Sequence, residues 1–395
     1  MMKYNKYGFI KKMSRKSKNL PSGYLNPEPL DSTGADIRIS MGARDTGKTY
    51  SRLKNAIEEY GRTGRPSVFC RRRDTSIKPS SLIKWLPQIE EIVNTLIKTK
   101  GSSWYGKEVP DKFRIRSSTV QYGYSRTERI EWVDKPLFYL DSISTMENTK
   151  GTYADLNIKY IIFDEFMTRD TYLKNEVVIF INFIFTVARN TSDIIVYMLG
   201  NTVSTNCPYF REFGLTYATR MKEGDIHCYT LNNENGEDLL IAIEYTLPPS
   251  HKSMKSLSKF SAFNNPRLKM ISGSKWEMDS YPHPDWRTGG DKLYTRDVYL
   301  ESLGDKVCLM LKYNKRVGMY VLVRPYNREE YDERMKRVYT DEICADRRFV
   351  TTPESTDKVD FTFWNLYKRN RWFYADNTCG ETVRNFIELT KGNRL

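Results

Sequence analysis

The sequence predicts an α/β protein built on a parallel sheet and joined to a smaller α+β domain. Between Asp36 and about Leu247, short β-branched or aromatic runs alternate with helical patterns, as in sheets whose parallel strands are connected by helices. A glycine-bounded loop after the first of these runs and an acidic pair after another predict a nucleotide site at one edge of the sheet. The predicted strands are 37–41, 68–70, 137–140, 158–163, 194–199 and 239–245.

The length of 395 residues predicts two or three domains, at about 150 residues per domain. We predict a basic tail over residues 1–20, an ATPase domain over 21–247, a linker or small subdomain over 248–295 and a second domain over 296–395. The linker is rich in Pro, Ser, Gly and Asn. The last domain has strand signals in VCLMLKY and VGMYVLV, and helical patterns over 329–339 and 381–390.

The charge balance favours a polyanionic partner. The chain has a formal net charge of +14, and residues 1–20 hold seven Lys or Arg and no acid. DNA, RNA and an anionic membrane all fit this charge, and the tail fits a polyanion contact or a solvated, mobile segment. The mean hydropathy of -0.62 and the lack of an apolar run near ~20 residues exclude a membrane-spanning protein.

The predicted nucleotide loop matches the P-loop pattern and lies between a strand, Ile37–Met41, and a helical run, Tyr50–Tyr60. Its backbone N–H groups would point at the phosphates of ATP, Lys48 would neutralise the β and γ oxygens, and the Thr49 hydroxyl would bind Mg²⁺. The alternative is a chance match. The predicted ATP-binding residues are Gly42, Ala43, Arg44, Asp45, Thr46, Gly47, Lys48 and Thr49.

The acidic pair Asp164–Glu165 follows the apolar run 159–163. Asp164 would reach the metal through its waters, and Glu165 would polarise the attacking water as a general base. Kinases that exclude water need no such base, so the adjacent pair favours ATP hydrolysis. The alternative is an acidic pair that only ends the strand.

Further candidates have two interpretations each. Asn201 could sense the γ-phosphate at the end of a strand, or Gly200–Asn201 could be an ordinary turn. Arg189, at the end of the apolar helix predicted over 176–188, could reach a neighbouring subunit's ATP site as an arginine finger, or simply stabilise the helix dipole. The triplet at 71–73 could contact nucleotide or DNA, with a solvated basic loop as the default, and Arg44 could touch the γ-phosphate or pair with a nearby acid.

In this order, the motifs GARDTGKT, IIFDEF, TVARN and LGNTVSTNCPYF resemble those of the DNA encapsidation ATPases of small tailed bacteriophages with protein-primed genomes, which are related to terminase large subunits. The resemblance is strongest over residues 39–210 and is traceable near 307–323. It implies an additional-strand, catalytic-glutamate P-loop ATPase. Lys48, Thr49 and Asp164 would then bind Mg-ATP, Glu165 would catalyse hydrolysis, Asn201 would sense the γ-phosphate and Arg189 would act in trans.

The resemblance also implies partners and a location. A homopentameric ring would dock on the portal vertex of an empty capsid and thread double-stranded DNA, working in the host cytoplasm and leaving before the virion matures. Lys150 corresponds to a lysine that faces the DNA channel in such motors. A residue near the second strand acts on the neighbouring site in that family, but RDTSIK at 73–78 departs from its pattern. Whether a structural RNA takes part stays open.

Related terminases cut DNA with a ribonuclease-H-like domain that holds two metals by carboxylates. The strand candidates 307–312 and 317–323 contain no acid. The acids around 329–333 occur among Arg and Lys in a helical pattern, as on a solvated helix face. We therefore predict a ribonuclease-H-like C-terminal domain without nuclease activity. The aromatic residues at 364 and 372–374 could contact nucleic acid, although core packing is the commoner role.

Two other classes of function remain. A helicase or a small-molecule kinase would use the same nucleotide site, and only the kinase would make a phosphorylated acceptor. A nucleic-acid-binding module with a degenerate nucleotide site would not turn over ATP. The intact Lys48, Asp164 and Glu165 argue against that module.

Overall fold

The computed structural model divides the chain into two compact units, which are treated separately. Unit 1 comprises Met1–Val203, Glu212–Asn264 and Ile271–Lys275, and unit 2 comprises Ser204–Arg211, Asn265–Met270 and Trp276–Leu395. The structure describes residues 3–5, 8–12, 16–82, 85–146, 153, 156–168, 172–173, 175–189, 191, 193–203, 207–215, 217–232, 238–248, 280–302, 305–326, 337–340, 349–350 and 358–390.

Most strands fall in unit 1. They are β1 (Lys3–Asn5), β2 (Gly8–Lys12), β3 (Lys18–Asn19), β4 (Leu25–Asn26), β5 (Ile37–Gly42), β6 (Ser67–Arg71), β7 (Lys112–Arg116), β8 (Thr119–Ser125), β9 (Ile130–Trp132), β10 (Phe138–Ser142), β11 (Tyr160–Asp164), β12 (Ile195–Asn201), β13 (Ile226–Asn232) and β14 (Asp238–Tyr245). The helices before unit 2 are α1 (Glu28–Asp31), α2 (Lys48–Thr63), α3 (Pro79–Leu82), α4 (Leu86–Lys98) and α5 (Glu176–Ala188). Helix α6 is Pro208–Glu212.

A twelve-stranded sheet organises unit 1, and its centre is parallel. The order β14-β5-β12-β11-β6-β10 includes all six strands predicted from the sequence, and every neighbouring pair among them is parallel. Strand β12 lies between β5 and β11. These strands are largely buried, which explains why their sequences are nearly continuous apolar runs. The α/β class and its parallel sheet are therefore confirmed.

Helix α2 packs against this sheet through one apolar stripe. Leu53, Ala56, Ile57 and Tyr60 recur at helical spacing, and all four are buried in the main core cluster. The helix ends at Gly64, whose left-handed backbone (φ 69°) lets its N–H donate to the carbonyl of Tyr60. Helix α2 starts directly from the loop 42–49, so this packing fixes the position of the loop.

Antiparallel strands extend both ends of the sheet. Strands β7 and β8 extend it beyond β10, with β9 paired to β8. At the other end β13 pairs with β14, and β2 pairs with β13. Residues 8–12 were predicted within a basic tail, whereas the structure places them in this sheet. A mobile tail is therefore the wrong interpretation for them.

Unit 2 contains a second sheet, in the order β19-β18-β15-β16-β17-β20. Strands β15, β16 and β17 form an antiparallel meander, and β18 runs parallel to β15. The elements are β15 (Lys292–Ser302), β16 (Asp305–Asn314), β17 (Gly318–Pro325), β18 (Arg337–Thr340), β19 (Phe349–Val350), β20 (Trp372–Tyr374), α7 (Lys358–Lys368) and α8 (Asn377–Thr390).

Two features of unit 2 differ from the sequence prediction, and one agrees with it. Strand β15 starts at Lys292, inside the predicted linker, and it was not predicted at all. Arg337–Thr340 is a strand, so the helix predicted over 329–339 is wrong at its end, while 327–336 lie outside the described residues. Trp364, Trp372 and Tyr374 are buried in the core of unit 2, which agrees with their packing interpretation.

Within the described residues, no helix is long and apolar enough to cross a membrane.

Candidate functional site

The loop 42–49 connects β5 to α2, and its two glycines are required by its path. Gly42 has a positive φ of 152°, and a Cβ there would lie 2.0 Å from the Thr246 hydroxyl oxygen. Gly47 (φ 85°) caps α2, and a Cβ there would lie 3.1 Å from the Tyr24 ring. A larger residue at position 42 would collide with Thr246, which directly follows β14. The first glycine of the P-loop pattern therefore has a local steric cause.

Lys48 is buried under this loop. Its ammonium group donates to the carbonyl of Ala43 at 2.5 Å and to the hydroxyl of Thr46 at 3.1 Å. Burial lowers the pKa of Lys48 to about 8, and the nearby carboxylates of Asp164 and Glu244 limit the fall. The cation is thus held beneath the curve of the loop. Arg44 and Asp45 are exposed at its outer side.

Thr49 and Asp164 bring the loop and the acidic pair together. The Thr49 hydroxyl donates to Asp164 Oδ1 at 3.0 Å across a separation of 115 residues. Asp164 is buried at the end of β11. A hydroxyl and a carboxylate oxygen are hard ligands of the kind that Mg²⁺ prefers. Their convergence therefore fits the predicted metal position, with phosphate oxygens as the other ligands.

Arg71 completes this cluster from β6. Its guanidinium lies 2.7 Å from Asp164 Oδ2 and 3.9 Å from Glu165 Oε2. The default interpretation of residues 71–73 was a solvated basic loop, and it is wrong for two of the three. Arg71 binds the acidic pair, Arg72 is buried, and only Arg73 is exposed. The sequence analysis missed Arg71 as a specific part of the site.

Arg72 fixes the backbone around Glu165. Its Nε donates to Glu176 at 2.8 Å, and its Nη groups donate to the carbonyls of Glu165 and Phe166 at 3.3 Å and 2.6 Å. Glu165 has a left-handed backbone (φ 59°), an uncommon conformation for a residue with a Cβ. Its side chain is 60% exposed. The chain therefore holds this carboxylate in a defined direction while leaving it accessible.

Asn201 ends β12 beside the first glycine of the loop. In the parallel pairing of β12 with β5, Asn201 is opposite Gly42, and the next N–H, of Thr202, donates to the Gly42 carbonyl at 3.2 Å. Gly200 before it admits no side chain, because a Cβ there would lie 2.8 Å from Phe166 and Met167. Asn201 thus belongs to the strand end at the site, rather than to an isolated turn.

Arg189 follows the last turn of α5, away from this cluster. Glu176 at the start of α5 contacts Arg72, and the 13 residues of the helix span about 20 Å. Arg189 is exposed. The bounds predicted for α5 are confirmed. The apolar helix is only partly buried, because Val178 and Phe185 are 58% and 68% exposed. These two side chains and Arg189 share one face of the helix at spacings of seven and four residues.

The structure therefore brings together the loop 42–49, Asp164, Glu165 and Asn201, and it adds Arg71. It does not bring Arg189 to this cluster within one chain. Lys150 lies outside the described residues. Within the part of the chain that is described, no group of three His, Cys, Asp or Glu side chains could hold a metal ion by itself.

Solved structures with a similar fold include two packaging-motor structures. The chain aligns with "The Phi-28 gp11 DNA packaging Motor" at a TM-score of 0.50, with 16% identity over 94% of this chain and 98% of that one. It aligns equally well with the bacteriophage Phi-29 viral genome packaging motor assembly, at a TM-score of 0.50 and 16% identity over 93% and 100% of the two chains. At such identities the likeness establishes the fold.

The sequence comparisons give the particular resemblance. Residues 129–223 match the family described as Podovirus DNA encapsidation protein (Gp16). The DNA packaging proteins of Bacillus phages phi29 and PZA are each 25% identical over 196 residues, which is 49% of this chain and 50% of theirs. The chain thus spans about half the length of the curated relatives it matches. The resemblance to DNA encapsidation proteins predicted from the sequence is confirmed.

Proposed function

We propose that the protein is an ATP-driven motor that moves double-stranded viral DNA into a preformed capsid through its portal. One observation carries the nucleotide part of this proposal, namely the hydrogen bond that joins Thr49 of the loop to Asp164 of the acidic pair. The similarity to DNA packaging proteins supports the DNA part. The sequence match covers only about half of those relatives, so the activity of the whole chain is part of this proposal.

The strand order supports an additional-strand P-loop ATPase of the catalytic-glutamate type. In such an enzyme one strand separates the phosphate-loop strand from the acidic strand, and β12 holds this position between β5 and β11. The strand end of β12 then presents Asn201 beside Gly42, where the γ-phosphate of ATP would lie. Ligands bind at this edge of parallel sheets.

Binding of ATP would use the loop and its buried cation. The N–H groups of residues 43–49 and the start of α2 favour phosphate oxygens, and Lys48 supplies a positive charge beneath them. Thr49 and Asp164 fit Mg²⁺ as ligands, directly or through water, together with phosphate oxygens. When bound, Mg²⁺ would neutralise charge that develops on the phosphates.

Hydrolysis would use Glu165 as the general base. Its carboxylate is exposed and directed by the hydrogen bonds that Arg72 makes to the local backbone. A water molecule held by Glu165 would attack the γ-phosphorus and lose its proton to this carboxylate, while the bond from the γ-phosphorus to the bridging oxygen breaks and ADP leaves. Arg71 contacts both Asp164 and Glu165, so it would keep two neighbouring negative charges in place before the nucleotide binds.

A homo-oligomeric ring, which we propose to be a pentamer, would complete the site with Arg189 of the neighbouring subunit. Arg189 is exposed on the same helix face as Val178 and Phe185, two large apolar side chains that are more than half exposed. Exposed apolar faces of this kind commonly mark contacts between proteins. The geometry supports a trans contact, because α5 carries Arg189 about 20 Å from the start of the helix.

Double-stranded DNA would pass through the ring. Lys150 remains the proposed channel residue, and this proposal rests only on the resemblance to DNA encapsidation ATPases. The portal of the empty capsid is the proposed docking partner, and a structural RNA remains open as a further component. The net charge of +14 supports contact with a phosphate backbone. Action in the host cytoplasm and at the portal vertex follows from this function.

Unit 2 is proposed to be ribonuclease-H-like and to lack nuclease activity. The order β17-β16-β15-β18-β19, with an antiparallel meander followed by parallel strands, supports that fold. Strand β15, which was not predicted from the sequence, includes two acids, Asp297 and Glu301. Glu301 forms an ion pair with Lys306 at 2.9 Å, which is a structural role for this carboxylate.

Phosphate release in the presence of supercoiled plasmid tests the proposed function. We expect the full chain with Mg-ATP to release phosphate, the duplex to increase the rate, and the plasmid to stay supercoiled. A phosphorylated small-molecule acceptor without free phosphate would instead indicate a kinase, and strand separation a helicase. Nicked or linear plasmid would overturn the absence of nuclease activity. No turnover of ATP would leave only a nucleic-acid-binding module.

The affinity for ATP should fall as the pH is raised from about 7 to about 9. Lys48 has a lowered pKa of about 8, so it is charged at the lower pH and largely neutral at the higher one. The neutral amine attracts the triphosphate less. Titration calorimetry with Mg-ATP measures this change. The Lys48→Arg variant is the control, because a guanidinium stays charged over this range and its affinity, even if weaker, should not change with pH.

A further inference from the structure

Strands β7, β8 and β9 form an antiparallel meander at the edge of the sheet in unit 1. One face of the meander packs on the core. Val120 and Tyr122 are buried in the main core cluster, and Phe113 and Ile115 pack against it. The turn between β7 and β8 has positive φ at Ser117 and Ser118, which is the tight hairpin geometry that suits twisted strands. The meander is therefore rigidly attached.

The opposite face of the meander is basic. Alternation along β7 directs Lys112, Arg114 and Arg116 away from the core, at about 6.8 Å per step. Gln121 is paired with Arg114 across β7 and β8, and Trp132 follows on β9. We call these five residues the hairpin face. No role is predicted for them from the sequence.

Arg114 is oriented by its neighbours on this face. Its guanidinium carbon lies 3.7 Å from the centre of the Trp132 ring, and its Nε donates to Gln121 Oε1 at 3.0 Å. Trp132 reaches Arg114 across Gly123, where a Cβ would lie 3.1 Å from the indole. Stacking and one hydrogen bond hold the plane of the guanidinium, and its two terminal nitrogens have no hydrogen-bond partner among the described residues. A planar cation held in this way suits phosphate.

The charge on the hairpin face is not neutralised within the described residues. Arg114 and Arg116 have no carboxylate partner there, and Lys112 has only Asp111 at 3.7 Å. Partial burial and the charge of Arg116 lower the pKa of Arg114. Arg126 of the same meander differs, because it pairs with Glu108 and Glu131. Glu131 is paired with Tyr124, whose ring packs against the core cluster, so Glu131 lies on the opposite side of the meander from the hairpin face.

We propose that the hairpin face binds the phosphate backbone of double-stranded DNA, as a contact surface separate from the nucleotide site. This inference rests on the proposed function, which makes duplex DNA the substrate. Three cations on one rigid strand span about 14 Å, while each DNA strand carries one phosphate per about 3.4 Å of helix axis, so several phosphates lie within reach. The contacts reach phosphates and no base edge, so binding is independent of sequence.

The salt dependence of DNA binding tests this inference. The full chain carrying Arg114→Gln and Arg116→Gln is titrated with a short labelled duplex over a series of salt concentrations, by fluorescence anisotropy. We expect the slope of log K against log salt to become shallower by about 1.8, at about 0.9 per lost phosphate contact. The rate of ATP hydrolysis without DNA should not change. Arg116→Gln alone removes no contact seen within the described residues and should give half of the slope change.

Arg126→Gln is the matched control, since it removes one arginine from the same meander but from a neutralised position. If Arg126→Gln made the slope of log K against log salt as much shallower as Arg116→Gln does, the effect would be due to total charge and the inference would be overturned. A double variant with the slope of the wild type would also overturn it. A larger effect on duplex RNA or on phosphatidylserine vesicles than on DNA would assign the face to that partner instead. If the wild type neither hydrolyses ATP nor binds duplex, the proposed function itself fails.

Discussion

Replacing Glu165 with Gln should leave ATP binding nearly unchanged and slow hydrolysis by about 10²–10⁴-fold. The amide has the shape of the carboxylate but cannot accept the proton of the attacking water. The backbone at position 165 is held by Arg72 and not by the side chain, so the variant should fold normally. The contact with Arg71 is long, at 3.9 Å, and its loss should affect ATP binding little.

Two measurements are needed for this variant, an equilibrium titration with ATP and a single-turnover hydrolysis rate. Glu90→Gln on α4 is the control, because Glu90 is an exposed glutamate on a different element. Hydrolysis at the rate of the wild type would exclude Glu165 as the base. Loss of ATP binding would indicate that Glu165 positions the loop, which the proposed mechanism does not allow.

The parallel sheet could be predicted because its strands are buried on both faces. Ile161, Ile162 and Phe163 of β11 are fully buried, and β12 has the same apolar continuity. Local sequence is enough to recognise such strands. The site followed from them, because polar residues after buried parallel strands meet at one edge of the sheet.

The edge strands could not be predicted in the same way. Strand β2 is defined by its pairing with β13, more than 200 residues along the chain, and its own sequence is basic. Strand β7 alternates charged and apolar residues, which is a weak pattern over five positions. In β15, irregular register around Thr295 interrupts the alternation. Pairing with distant strands, rather than local propensity, decides these elements.

The role of Arg71 depended on register between two strands. Three consecutive arginines are equivalent in the sequence, but Cys70 is paired with Phe163 across β6 and β11, so Arg71 lies beside Asp164. The next residue points to the other side, where Arg72 meets Glu176. An arginine that ends a strand next to the acidic strand was the available signal. Its use required the strand order, which the sequence alone did not supply.

Replacing Arg189 with Ala should slow hydrolysis in the assembled ring by about 10³–10⁵-fold, the range measured for arginine fingers. Folding should not suffer, because Arg189 is exposed and has no ion pair within the described residues. If Arg189 acts in trans, the Arg189→Ala subunit keeps a competent ATP site of its own, and the site of the neighbouring subunit loses activity. Mixing experiments distinguish these two cases.

Rings assembled from equal amounts of Arg189→Ala and Glu165→Gln subunits should recover activity. At an interface where a Glu165→Gln subunit supplies its intact Arg189 to the intact site of an Arg189→Ala subunit, every catalytic group is present. Random assembly makes about a quarter of the interfaces of this kind, since each position is filled correctly half of the time. Phosphate release by the mixture is compared with that of each variant alone.

Mixed rings of Lys48→Ala and Glu165→Gln subunits are the matched control. Both changes inactivate the subunit's own site, so no interface has a complete set of groups and no recovery is expected. Recovery in the first mixture but not in the second requires that Arg189 of one chain serves the loop and carboxylates of another. Activity that stays at the level of the separate variants at every mixing ratio would show that Arg189 does not act between subunits, and its exposure beside Val178 and Phe185 would then need another explanation.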